Sequence, residues 1–173
     1  DVMDIISGIP GSEMNLDVVR PGETEIKNIK ITRGGMDGKN VPYSGMVEPG
    51  IGYISLTTFT RDAGRNVANA LRDLKTESTD LKGVILDLRG NGGGLLREAI
   101  NVCNVFIPAE ETVVTTRSKV VEADQEYKTR TEPVDTEIEL IVLIDENSAS
   151  ASEIVSGVMQ DLDRGVIIGQ LSY

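Results

Sequence analysis

Between Asp145 and Ile154 the chain reads DENSASASEI, with serines at 148, 150 and 152 directly after the apolar run LIVLI. Hydroxyls at such a junction can do one of two jobs. Ser150 with Glu153 spells S-x-x-E ahead of Ile154 and Val158, the capping-box pattern of a helix start. Alternatively one hydroxyl is a nucleophile, and then it needs a base. The chain has no histidine, so a Ser-His-Asp triad cannot be built from it. A second junction of the same construction lies upstream, where GVILDL runs into RGNGGG and then into a helical pattern. In both places small residues lead into a helix whose first N–H groups lack intrahelical partners and attract anions. For GNGGG alone a tight turn with positive φ is the competing explanation. It is not a phosphate loop of the G-x-x-x-x-G-K-[ST] kind, since neither the lysine nor the hydroxyl follows.

The other reactive side chains read as structural. Asp87 and Arg89, beside the glycines, form a plausible ion pair rather than an acid catalyst. Cys103, the single cysteine, sits in INVCNVF and belongs to the core, with no disulfide framework to report a redox compartment. Glu122, Asp124 and Glu126 alternate and would share one face of a strand, which fits a solvated surface better than a metal site.

Positioning these groups requires alternating strands and helices. From Ile51 onward the order is GYISL (strand), a helix capped by Thr60 with Ala63, Val67, Ala70, Leu71 and Leu74 inward, then GVILDL (strand). A second helix buries Leu95, Leu96, Ala99, Ile100, Cys103 and Phe106. TVVTT and EADQEYKTR are exposed strands or a hairpin arm, LIVLID a buried strand, SEIVSGVMQDL a helix and GVIIG a last strand. Such alternation gives an α/β domain with mainly parallel pairing. Residues 1–34 differ, offering one helix (Val2, Ile5, Ile6) and two alternating strands, the tail of a small β-rich module. Residues 35–50, rich in glycine and proline, are expected to be a linker, and 51–173 the main domain.

Composition narrows the function. With 173 residues, 28 acidic against 17 basic side chains, a net charge of -11 and only 3% aromatics, nucleic acid is a poor partner. No apolar run is long enough to span a membrane, and the first residues carry no export signal.

IGYISLTTF, LKGVILDLRGNGGGLL and LIVLIDENSASASEIVSGVMQDLDRGVIIG, in that order and spacing, resemble the carboxy-terminal processing, or tail-specific, serine proteases. The opening DVMDIISGIPGSEMNLDVVR resembles the last helix and strand of the PDZ domain that precedes the protease core in that family. The resemblance implies a ClpP/crotonase-like α/β core with a partial PDZ domain at residues 1–34. It also implies a Ser-Lys dyad, which removes the need for histidine. Ser150 then matches the nucleophile, Ala151 a backbone oxyanion donor, and Gly93 the other donor. Asp161 matches a supporting acid of a Q-D motif, expected to pair with Arg164. Gly92 departs from the family, which carries proline in N-P-G-G.

The family's lysine follows an S-F or S-Y step, here Ser172 and Tyr173, so the base is expected just beyond Tyr173. None of Lys27, Lys30, Lys39, Lys75, Lys82, Lys119 and Lys128 matches it, and the chain alone is expected to be an inactive fragment. The implied reaction is endopeptidase cleavage near unstructured C-terminal tails, without metal or organic cofactor, in a bacterial envelope or plastid lumen. Homo-oligomerisation stays open. A non-catalytic module that binds peptide C-termini through the same junctions is the alternative, and acyl-CoA chemistry on a related fold a third reading that leaves the serines unexplained. If the glycine loop acts through its backbone alone, Asn91→Ala should be tolerated better than Gly93→Val.

Overall fold

The structure is a computed structural model that describes residues 8–9, 11–20, 22, 25–33, 38–117 and 124–173. The helix expected near the N-terminus and position Glu122 lie outside the described residues. The chain divides into two compact units, Asp1–Gly38 and Lys39–Tyr173. In the first, β1 (Glu13–Val18) pairs antiparallel with β2 (Lys27–Thr32). Met14, Leu16 and Val18 are half-buried while Glu13, Asn15 and Asp17 are exposed, as their alternation predicts.

The second unit is built on a five-stranded sheet in the order β3-β4-β5-β8-β9. Its strands are β3 (Tyr43–Glu48), β4 (Ile51–Ser55), β5 (Gly83–Asp87), β8 (Glu139–Ile144) and β9 (Val166–Gly169). All neighbours pair in parallel except β3, which runs antiparallel to β4 at one edge. The connections carry α1 (Ala63–Glu77), α2 (Leu96–Phe106) and α3 (Ala151–Asp161). From β4 to β9 the chain always steps in one direction, so right-handed crossovers stack the three helices on one face, where neighbouring helices touch. Ile54, Leu86, Leu140 and Val142 of the sheet meet Val67, Leu71, Val102, Phe106, Val155 and Met159 of the helices in one core. Cys103 is fully buried there, and desolvation pushes its thiol up to about 12, so it is inert at neutral pH.

Two details depart from the sequence reading. Residues 43–48, expected to be linker, are a strand of the main sheet, and the unit starts at Lys39 instead of Ile51. Gly45 inside it, the irregular register between Met46 and Glu48 and the following Pro49-Gly50 turn mask an edge strand that has no sustained alternation. The cap of α1 is also displaced: Asp62 takes the N-cap position at φ 68° without a side-chain bond to the helix end, while Thr60 gives the helix only its carbonyl, to the Ala63 N–H at 3.1 Å.

The missing cap is supplied by another helix. Glu98, buried in the first turn of α2, accepts the Gly64 N–H at 3.0 Å. Close approach permits this, since a Cβ on Gly64 would lie 2.3 Å from Asn101 Cβ. Of the two arrangements open to the acid-rich segment, a hairpin arm forms: β6 (Thr112–Thr116) pairs antiparallel with β7 (Gln125–Lys128). Buried Asn104 of α2 anchors its return, donating to Thr131 O at 2.6 Å and accepting the Thr131 N–H at 2.8 Å. Glu98→Ala should strand the Gly64 N–H and lower stability by roughly 1–3 kcal/mol, whereas Glu98→Gln, which keeps an acceptor oxygen, should lose less. Urea unfolding followed by circular dichroism measures both.

Candidate active site

The site forms where two parallel strands stop side by side. Asp87, ending β5, lies opposite Leu143 of β8, and the Leu88 N–H carries the ladder one step further onto Leu143 O at 2.9 Å. The glycine loop and the serine turn therefore leave the sheet together. Backbone and side-chain bonds then join them: Gly90 N–H to Asp145 Oδ1 at 2.8 Å, Ser148 Oγ to Leu88 O at 2.8 Å, Ala149 N–H to Asn91 O at 3.1 Å and Ser152 Oγ to Asn91 O at 2.8 Å. The Gly90 N–H is the main influence holding the Asp145 carboxyl below its ordinary range.

The alternating serines separate by role. Ser148 and Ser152 are fully buried and spend their hydroxyls on the opposite loop, whereas Ser150 between them is exposed. Ser150 is the N-cap of α3, at φ 55° and ψ -111°, a conformation that side chains other than glycine rarely adopt. The capping box is real: the Ser150 N–H donates to Glu153 Oε2 at 2.8 Å. Cap and strained turn thus occupy one residue. Ala151, the first helical residue, directs an N–H with no intrahelical acceptor out of the helix end.

Gly93 faces this turn. At φ 97°, a Cβ added to it would meet Ala149 O at 2.7 Å, Ala151 N at 2.9 Å and Ser150 Cβ at 2.9 Å. Only glycine fits. Its carbonyl accepts the Phe59 N–H at 3.0 Å, and its own N–H donates to Asn91 Oδ1 at 2.9 Å. Ser150, Ala151 and Gly93 are thereby brought together, as their sequence motifs suggest. Asp161 is not: it lies exposed at the far end of α3, and the expected pair with Arg164 is absent. The chain turns at Asp163 (φ 49°) and carries Arg164 to Phe106 O at 2.8 Å and Asp135 O at 3.3 Å, with its guanidinium 6.0 Å from the Phe106 ring.

Three features were not read from the sequence. Asn91 is completely buried, with its Nδ2 on Leu56 O at 2.7 Å, so its side chain is part of the loop's structure. An asparagine two residues before a tight glycine is an Asx-turn signal that could have shown this. The Ser172 hydroxyl donates to Glu153 Oε1 at 2.9 Å and the Tyr173 N–H to Ser148 O at 3.0 Å, which brings the segment after β9 against the serine turn. Lastly, the Asp87–Arg89 pair includes Tyr53, whose hydroxyl donates to Asp87 Oδ2 at 2.5 Å while Arg89 binds both carboxylate oxygens.

Residues 50–173 match the model of peptidase family S41. A carboxy-terminal-processing protease of Bartonella bacilliformis is 38% identical over all of this chain and 40% of its own length. A carboxyl-terminal-processing protease of Synechocystis is 38% identical over 71% of this chain and 28% of its own. Among solved structures, a photosystem II D1 C-terminal processing protease superposes with a TM-score of 0.68 at 24% identity, over 95% of this chain and 45% of that one. The chain spans less than half the length of these relatives.

Asp87 makes the stability of this junction depend on pH. Burial alone would raise its carboxyl, but the Arg89 and Tyr53 hydrogen bonds outweigh it and hold the group below 3.8. A depressed carboxylate stabilises the fold above its unfolded value and loses that contribution as pH falls through the folded one. Asp87→Asn should therefore cost roughly 1.5–3 kcal/mol at pH 7, with the gap to the parent closing as the pH falls through the depressed carboxyl's range, below 3.8. Urea midpoints across that pH range check it.

Proposed function

The chain belongs to peptidase family S41, and we propose that it carries the nucleophile and oxyanion site of a serine endopeptidase that cleaves near the C-terminal tails of proteins. The observation that supports this most directly is the contrast among the three serines: two are buried and bonded, and the middle one is exposed on a strained turn beside Gly93. In this reading Ser150 Oγ attacks the scissile carbonyl carbon and passes its proton to a lysine amine. The tetrahedral oxyanion lies at the Ala151 N–H, with the Gly93 N–H as second donor once it shares or exchanges Asn91 Oδ1. Each such donor is worth about 3 kcal/mol of transition-state stabilisation. Collapse expels the amine of the C-terminal fragment, which takes the proton from the lysine. Water then attacks the Ser150 ester, and the carboxylate leaves with the hydroxyl restored.

The base is proposed to be a lysine following Tyr173, because Ser172 and Tyr173 already contact Glu153 and Ser148. A lysine acting as base at neutral pH needs its pKa lowered from ~10.4 to about 7–8, which burial among apolar groups supplies. Asp161 is left a supporting role at the end of α3, away from the nucleophile. Residues 1–34 are proposed to belong to a PDZ domain that holds an unstructured tail for the core. The relatives of Bartonella and Synechocystis are bacterial, and the site of action is proposed to be the bacterial envelope.

In the full-length protein, Ser150→Ala should abolish release of a C-terminal fragment from an unstructured substrate, a loss of about 10³-fold or more. Ser148→Ala and Ser152→Ala, each removing one buried loop-to-loop bond, should keep substantial activity. Parental cleavage by the Ser150 variant would exclude the assignment, and retained binding of a peptide C-terminus without cleavage by the parent would favour a binding module.

A further inference from the structure

We infer that Asn91 is the positioning residue of this site, its carboxamide fixing the Gly93 peptide against the nucleophile; the catalytic part of this inference rests on the protease reading above. Asn91 is the one residue of the glycine loop whose side chain is fully enclosed, and every polar atom it owns is used. Its Nδ2 donates to Leu56 O at 2.7 Å, just past β4. Its Oδ1 accepts the Gly93 N–H at 2.9 Å. Its backbone carbonyl accepts both the Ala149 N–H at 3.1 Å and Ser152 Oγ at 2.8 Å, the residues on either side of the Ser150-Ala151 step, and its N–H donates to Leu88 O at 3.2 Å. One residue thereby ties together the β4 end, the glycine loop and the serine turn.

The arrangement has a consequence for Gly93. It lies so close to Ala149 O, Ala151 N and Ser150 Cβ that an added Cβ would meet all three within 3 Å, so any rotation of its peptide displaces the oxyanion position relative to Ser150. Two bonds oppose that rotation, Phe59 N–H to the Gly93 carbonyl and the Gly93 N–H to Asn91 Oδ1. With a second glycine at 92 in place of a rigid residue, the loop's own backbone supplies little resistance. The side chain of Asn91 supplies it. Because Oδ1 occupies the Gly93 N–H, it is also the acceptor that a developing oxyanion must displace or share.

The test uses the full-length protein and three readouts: amide hydrogen exchange at Gly92–Gly94, kcat and KM on a C-terminal tail peptide, and thermal unfolding. Asn91→Ala should raise exchange at Gly93 and lower kcat about 10- to 100-fold, the cost of a small misplacement at a reacting centre, with KM changed less than about threefold. Asn91→Ser, whose hydroxyl can still accept the N–H two residues on, should restore protection and part of kcat. It also serves if the alanine variant does not fold. Parental exchange at Gly93 and parental kcat in Asn91→Ala would overturn the inference. So would equal losses in the alanine and serine variants with Gly93 still protected. If the parent itself proves silent toward peptides, the protease reading fails while the exchange result still decides whether Asn91 holds Gly93.

Discussion

Everything at this site depends on the parallel register of β5 with β8. Because Asp87 and Leu143 are cross-strand partners, the two loops begin at the same level, and the Leu88–Leu143 bond keeps them together for one residue more. The four further loop-to-loop hydrogen bonds each contribute only about 0.5–1.5 kcal/mol net. Their value lies in geometry. Three involve buried oxygen atoms of Leu88, Asn91, Ser148 or Ser152, which would be costly to leave unpaired and so accept only one arrangement. A slip of the register by one residue would reverse the faces of the strand and separate the glycine loop from the serine turn.

The carboxylates around this junction are each held by hydrogen bonds, and Asp87 is also paired with a cation. Asp87 is neutralised by Arg89, and Asp145 is satisfied by backbone N–H groups and Ser148. Glu153 accepts from Ser150 N–H and Ser172. Asp145 and Glu153 keep their negative charge in a chain whose net charge is -11, and their hydrogen bonds fix where that charge sits relative to Ser150.

Much of the fold was legible because its signals are local and periodic. GVILDL and LIVLID are nearly continuous apolar runs, the mark of buried parallel strands, and both appear as β5 and β8, with Leu86 and Val142 in the core and Ile85 and Ile141 half-buried. The edge strand β3 was missed because it is half-exposed, carries Gly45 and is irregular at Val47, so no alternation survives to be read. The site was legible through its long serine motif and its glycines. What the sequence could not supply was direction. Nothing in DLDRG says that Arg164 turns toward Phe106 instead of Asp161, and nothing in GNGGG says that the asparagine faces inward.

The alternation of the serines is explained by the turn they build. Ser148 precedes the turn and Ser152 lies in the first turn of α3, and the left-handed step at Ser150 between them lets both hydroxyls reach the glycine loop. Ser150 itself stays exposed at the turn. Its positive φ is a strain of about 1–3 kcal/mol, a cost of the kind that persists only where surrounding structure enforces it. Enforcement comes from both flanks, through the buried hydroxyls of Ser148 and Ser152, and from the Glu153 carboxylate on the Ser150 N–H. The capping box is therefore not an alternative to reactivity. It anchors Ser150 at the exposed start of α3, beside the unpaired N–H of Ala151, and a side-chain oxygen that accepts from a backbone N–H keeps its own proton to give up.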